Sequence, residues 1–128
     1  MIDLNFMLVA LDCPDPVALA HFYAELTGWN MEEYGDTPIE EIQWIEIYKE
    51  GQPAIAFQRA EHYLAPTWPE GPVPQQLHLD FDVSDLDEGE AFVLGLGATK
   101  AAFQPGETFR VYLDPVGHPF CLVLRRSA

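Results

Sequence analysis

The chain is short of positive charge, of cysteine and of long apolar runs, and each shortage closes off a class of function. Lys and Arg number 6 against 21 Asp and Glu, a formal net charge of −15 with neutral histidines. A surface of that sign repels phosphate backbones and anionic lipid, so neither nucleic acid nor a membrane is an expected partner. The same acidity either draws in cationic ligands or only keeps the protein in solution. Cys13 and Cys121 are too few for a disulfide framework, and reduced thiols in a cytoplasmic protein are the expectation. No apolar run nears the ~20 residues of a membrane span. The opening "MIDLNFMLVALDC" has neither a basic stretch nor a small-residue cleavage site, so no secretory leader is expected. GxSxG, Walker and dinucleotide fingerprints are missing too. The "GLGA" at 95–98 ends a helical stretch and reads as a cap, not a phosphate loop.

What is there suits one compact domain or two small, closely packed modules: 128 residues, 48% of them hydrophobic. A chain of this size buries roughly two-thirds of its unfolded surface and needs no metal or disulfide simply to fold. Its order shows a repeat. Residues 11–26, "LDCPDPVALAHFYAEL", overlie residues 81–96, "FDVSDLDEGEAFVLGL", at a shift of 70: Asp12 meets Asp82, Asp15 meets Asp85, Phe22 meets Phe92 and Leu26 meets Leu96. Each segment follows an alternating strand and opens a helix. Asp15 is a good N-cap with Pro16 behind it, and Leu19, Phe22, Tyr23 and Leu26 form a helical stripe that Gly28 stops. Ser84 or Asp85 caps the second helix, which carries Leu86, Val93 and Leu96 and ends at Gly97.

The following segments, "WIEIYKEGQPAIAF" and "RVYLDPVGHPFCLV", align at a shift of 66 through Gly51–Gly117 and Pro53–Pro119, and both read as hairpins. A short further strand is expected near 29–34 and near 98–103. Between the halves "EHYLAPTWPEGPVPQ" is a stiff, proline-rich connector unable to join a sheet ladder. The chain thus reads as module 1–60, connector 61–74 and module 75–128, each module strand–helix–three strands.

The doubled βαβββ pattern, the "DP…FY..LTGW" phrase at 15–29, "HLD" at 78–80 and "DPVGHPFC" at 114–121 resemble the vicinal oxygen chelate superfamily across essentially the whole chain. That superfamily includes glyoxalase I, extradiol dioxygenases, fosfomycin-resistance enzymes and bleomycin-resistance proteins, and the glyoxalase-like branch is the nearest. The resemblance implies an α+β fold in which the two modules form a curved mixed sheet around a central cavity, helices on the convex side. It also implies a homodimer, with Trp29, Trp68 and the connector serving either an interface or a lid.

The strand "QQLHLDFDV" at 75–83 then gains a direction. Leu79, Phe81 and Val83 pack beneath the second helix, and Gln76, His78, Asp80 and Asp82 look into the cavity, as Leu8, Ala10 and Asp12 do in the first half. Ile45, Ile47, Val111 and Leu113 are assigned to the helix side. Trp44, Glu46, Tyr48, Arg110, Tyr112 and Asp114 are assigned to the cavity, with Ile55, Phe57 and Arg59 from the fourth strand and Cys121, Val123 and Arg125 from the eighth. Of these, Trp44, Glu46, Tyr48, Phe57, Asp80, Arg110, Tyr112 and Cys121 are the expected ligand-binding residues, and His78 the expected catalytic one.

Metal-using members take ligands from four strand positions, which the resemblance carries onto Leu8, Ile55, His78 and Cys121. Two of the four are aliphatic. His78 and a Cys121 thiolate remain as candidate ligands for zinc, nickel, iron or manganese, and Asp80, His118 or Glu46 would have to complete the set. His118 otherwise reads as a turn residue, Cys121 as a small buried apolar one, and His21 and His62 as surface residues. Three functions stay open. One is a small-molecule-binding protein without a complete catalytic metal site, taking an aromatic or cationic ligand as sequestering resistance proteins do. Another is a metal-dependent lyase, isomerase or dioxygenase with His78 as ligand or general base. The third is a module that acts by binding another protein.

Overall fold

The computed structural model describes residues 1–126. They fall into two compact units, Met1–Tyr63 and the chain from Leu64 onward. The first contains β1 (Leu8–Cys13), α1 (Pro16–Thr27), β2 (Asn30–Met31), a 3-10 turn (Ile39–Glu41), β3 (Trp44–Tyr48) and β4 (Ala54–Arg59). The second contains β5 (Leu79–Val83), α2 (Leu86–Gly95), β6 (Thr99–Lys100), β7 (Phe109–Leu113) and β8 (Pro119–Leu124). Each unit builds a four-stranded mixed sheet, ordered β1-β4-β3-β2 and β5-β8-β7-β6, with the first pair parallel and the others antiparallel. The α+β class and the doubled order of elements are those expected from the sequence.

The helices form where their caps allow. The Asp15 carboxylate accepts the backbone N–H of Val17 at 3.1 Å and of Ala18 at 3.4 Å, satisfying donors that the first turn of α1 leaves open. Gly28 ends α1 with φ 73°, a left-handed conformation that a side chain disfavours. Asp85 caps α2 through the Glu88 N–H at 2.9 Å. In the first unit α1 lies on β3 and β4. Its Leu19, Phe22 and Tyr23 are buried together with Ile45, Ile47, Ile55 and Phe57, and Tyr23 stacks on Phe57 at 5.6 Å. In the second, α2 lies on β8, where Gly89 permits a close approach: a Cβ there would stand 3.0 Å from Leu122 Cδ1 and 3.3 Å from Val83 Cγ1.

Strand register corrects the expected faces. Cross-strand partners share a face of the sheet, and the helix-facing pair Ile45–Phe57 of the first unit corresponds to Arg110–Leu122 in the second. The offset is 65 in both strands, where matching the turn glycines and prolines gives 66. A slip of one residue turns every side chain to the opposite face. Ile55 and Phe57 therefore lie under α1 and not in a cavity. Arg110 and Tyr112 face α2, while Val111 and Leu113, expected beneath the helix, look the other way. For β1 and β5 the shift of 70 holds, since Val9–Ile55 corresponds to Leu79–Phe120.

The second unit consequently has ionic groups where the first has aliphatic ones. Arg110 Nη2 meets Asp87 Oδ1 at 2.8 Å, Arg110 Nη1 meets Glu90 Oε1 at 3.3 Å, and Lys100 Nζ reaches the same Glu90 oxygen at 2.9 Å. The Tyr112 hydroxyl donates to Glu90 at 2.9 Å. The Lys100 hydrogen bond, joined by Tyr112, holds the Glu90 carboxyl below its ordinary range. Burial, with Glu90 beside it, pushes Tyr112 up to about 12.

The reversed face of Phe57 is directly testable. Phe57→Ala opens a cavity against Tyr23 and is expected to cost about 3–5 kcal/mol in chemical denaturation. Trp44→Ala, on the exposed face of the same sheet, is expected to cost less than about 1 kcal/mol.

Candidate functional site

The face of the second sheet away from α2 borders a hollow of about 470 Å³. Its floor follows from the register: Asp80 pairs with Cys121, and Cys121 with Val111, so one row across β5, β8 and β7 carries a carboxylate, a thiol and an isopropyl group. Trp68, Phe109 and Val123 pack against the buried cluster Ala101, Val111 and Cys121 and supply apolar walls. The proline segment delivers Trp68. The Thr67 N–H donates to Val73 O at 2.6 Å, the Val73 N–H donates to Thr67 Oγ1 at 3.1 Å, and a single bridge joins Thr67 to Pro74. Trp68 is steadied by Phe103, with ring centroids 5.8 Å apart.

Polar groups gather at one end. His78 Nδ1 and Asp80 Oδ1 are 2.9 Å apart. With the ring proton in that bond, the carboxylate fixes the tautomer and leaves Nε2 as a hydrogen-bond acceptor. Burial, and next to it the Asp80 carboxylate, push the Cys121 thiol up to about 12, so this sulfur is a protonated thiol and not a nucleophile. Gln75 and Thr108 also line the hollow, and Arg126 stands exposed at its border. Gln75 Oε1 is buried and, among the described residues, has no hydrogen-bond partner.

The expected site residues thus divide. His78, Asp80 and Cys121 come together. Trp44, Glu46 and Tyr48 share the exposed face of the first sheet, where the Trp44 indole N–H donates to Glu46 Oε2 at 2.9 Å. Phe57, Arg110 and Tyr112 are helix-side groups, as above. Asp82 is engaged by Arg125 through two bonds of 3.1 and 2.9 Å. Asp114 is buried in its turn, accepting the N–H groups of Val116 and His118, which makes "DPVGH" a side-chain-capped turn. Gln76 was expected to look into the cavity, yet Gln75 lines the hollow instead. Gln75 and Gln76 lie three or more residues ahead of β5, and alternation, which still carries to His78, does not reach back to them. Phe109 was missed because the 66-residue match reversed β7.

A metal is tested by the same three side chains. The donor atoms of His78, Asp80 and Cys121 lie within 4.8 Å of one another. A first-row cation about 2.0–2.3 Å from each donor needs them roughly 3.2–3.8 Å apart. A nitrogen, an oxygen and a sulfur with that small closure to make fit a zinc-type ion, provided the thiol gives up its proton. Ile55, one of the positions carried over from the resemblance, is 5% exposed on the α1 side and aliphatic.

The thiol carries a pH signature. Below pH 9 it is protonated in folded and unfolded chains alike. Between its ordinary value of 9.0 and about 12 only the unfolded chain releases the proton, so this stabilisation is complete below 9 and is lost as pH rises. Denaturation at pH 8, 9, 10 and 11 is expected to show a decline that Cys121→Ala reduces. In the folded protein at pH 8 a disulfide reagent is expected to label Cys121 at least ~10-fold more slowly than after unfolding.

Comparison with known proteins follows this geometry. The family description "Glyoxalase-like domain" matches residues 8–123. A glyoxalase/bleomycin resistance protein/dioxygenase family enzyme from Burkholderia phytofirmans PsJN is 20% identical, with TM-score 0.64 over 93% of this chain and 97% of that one. The fosfomycin resistance protein FosX from Mesorhizobium loti is 18% identical, with TM-score 0.66 over 98% and 94%. A glyoxalase/bleomycin resistance protein from Albidiferax ferrireducens T118 is 15% identical, with TM-score 0.62 over 94% and 98%. No curated protein matches the sequence. At these identities the structural likeness is one of fold, while the family match spans nearly the full length: the chain belongs to the glyoxalase-like domain family, within the vicinal oxygen chelate superfamily.

Proposed function

We propose that the protein binds a small aromatic molecule carrying N–H donors, in the hollow bordered by Trp68, Phe109 and Gln75, and does so without a complete catalytic metal site. The observation that carries this reading is Gln75 Oε1, a buried acceptor without a partner. Leaving such an atom unsatisfied costs about 1–3 kcal/mol, and a ligand donor recovers it once the Gln75 side chain turns its amide into the hollow. The Asp80 carboxylate is a second acceptor at the same hollow, and the aromatic walls take a flat ring. An amine or amidinium on an aromatic body satisfies all three features. Arg126 has the opposite preference, but its exposed guanidinium is screened by water and salt.

Matched ring pairs test this, for example benzamidine against benzoate and tryptamine against indole-3-acetate, by calorimetry and thermal shift. The cationic member of each pair is expected to bind at least ~10-fold more tightly, and Gln75→Leu and Asp80→Asn are each expected to weaken it by about that factor. Equal binding of the carboxylates, or none by either member, sinks the reading.

A second reading rests on the His78, Asp80 and Cys121 cluster: a metal-dependent lyase, isomerase or dioxygenase, with FosX among the proteins of like fold. Those three residues would hold the ion, which when bound polarises an oxygen of the substrate as a Lewis acid. In that setting Asp80 orients the His78 ring, and Phe109 and Trp68 exclude water. Elemental analysis of protein purified without chelator or affinity metal separates the two readings. The binding reading expects well under one zinc, nickel, iron or manganese per chain. Near one per chain, lost in both His78→Ala and Cys121→Ala, overturns the first reading and supports the second, which glyoxalase, dioxygenase and epoxide-opening assays then decide.

A further inference from the structure

One cation of this acidic chain stands at the hollow without a carboxylate beside it. Lys100, Arg110 and Arg125 are held in ion pairs, and Arg59 by carbonyl oxygens. Arg126 has no ion-pair partner among the described residues, yet it borders the hollow. Strand register fixes which end it marks. β8 runs parallel to β5, with Asp80 beside Cys121 and Val83 beside Leu124, and the Arg125 N–H donates to Val83 O at 2.7 Å. The parallel ladder thus carries through to Arg125, and Arg126 follows beyond the end of β5. From Cys121 to Arg126 the chain advances about 3.3 Å per residue, an offset of roughly 16 Å from the Asp80 row. Val123 lies between the two with Phe109 as its cross-strand partner, and both pack with Trp68 on the same apolar cluster. The hollow is therefore two-ended: a carboxylate at one end, apolar walls in the middle, a guanidinium at the other.

We propose that the ligand is a linear zwitterion, a flat ring with an amine or amidine at one end and a carboxylate at the opposite end. The inference rests on the binding reading above and adds a second charge, at a fixed distance, to the ligand. An arginine stem that folds back toward the hollow it borders shortens the span between the two charged side chains to roughly 10–13 Å. A para-substituted benzene ring holds its two charges about 7 Å apart, and a hydrogen bond of about 2.9 Å at each end extends its reach to roughly 13 Å. An α-amino acid carries both charges on one carbon and meets one end only. A free anion gains little from Arg126, because water and salt screen the exposed guanidinium. A carboxylate delivered by a ring already seated between Trp68 and Phe109 gains more, since its encounter with Arg126 is then intramolecular. A ligand without net charge also approaches a chain of −15 without the repulsion that an anion meets.

Calorimetry of the full chain with para-amidinobenzoate, meta-amidinobenzoate and benzamidine tests this. At low ionic strength the para isomer is expected to bind about 5-fold more tightly than benzamidine, the most that an exposed ion pair supplies, and the meta isomer no more tightly than benzamidine. The advantage is expected to fade by about 0.5 M salt. Arg126→Glu is expected to reverse the order of para-amidinobenzoate and benzamidine. It moves two ligands that differ by one carboxylate in opposite directions, whereas damage to the fold moves both the same way. Arg126 is exposed and lies beyond β8, so thermal melts of the variant are expected to match the wild type. Benzamidine binding that Gln75→Leu weakens, with no advantage for the para isomer or an equal one for the meta isomer, overturns this inference and leaves the binding reading standing. An advantage that survives Arg126→Glu does the same. Absence of binding by all three ligands overturns both.

Discussion

Register in the two hairpins is the constraint from which the rest of the arrangement follows. Each sheet has a helix on one face, so every strand residue is either beneath a helix or turned away from it. The pairings Ile45–Phe57 and Arg110–Leu122 decide which. Because the choice is binary and shared along the strand, one cross-strand pair settles the facing of five or six side chains in each strand. That is how Val111 and Cys121 come to lie beside Asp80, and how Phe57, on an equally apolar strand, comes to lie beneath Tyr23.

The two units solve the same packing problem with different chemistry. Beneath α1 the contacts are aliphatic and aromatic. Beneath α2 the equivalents of Ile45 and Ile47 are Arg110 and Tyr112, and the helix answers with Asp87 and Glu90. A polar clamp of this kind adds direction more than free energy, since desolvation offsets much of the attraction. It also absorbs scarce cations. Of the 6 basic residues in the chain, Lys100, Arg110 and Arg125 are in ion pairs. Arg59 ties the carbonyls of Pro14, Ile39 and Ile42 together. The acidic surface is thus left largely uncompensated, which favours a ligand with donors or positive charge over an anion.

The hollow on the second unit combines groups that packing alone does not require. An aspartate hydrogen-bonded to a histidine, a protonated thiol one strand away and a buried carboxamide oxygen without a partner occupy a face otherwise walled by apolar rings. His78 and Asp80 are exposed at its rim, whereas the thiol and the carboxamide oxygen are buried, and the partnerless oxygen is more costly there than an aliphatic group would be. Their convergence distinguishes this face from the Trp44–Glu46–Tyr48 row of the first unit and is the reason the proposed ligand is assigned to it.

The sequence by itself determined the elements, their duplicated order, the cap at Asp15, a second cap at Ser84 or Asp85, and the facing of β1 and β5, because alternation and helix-end chemistry are local and survive in a single chain. "HLDFDV" announced His78 and Asp80 for the same reason. Tertiary structure alone decided the facing of β4 and β7. The turns at Gly51 and Gly117 look alike, yet their glycines stand one position apart relative to the pairing, and strands as apolar as "AIAF" and "RVYL" carry no alternation to correct the count. The partnerless Gln75, and the union of Trp68 with Phe109 about forty residues on, were equally out of reach. Burial and contact between distant residues are properties of the folded sheet, and no local pattern encodes them.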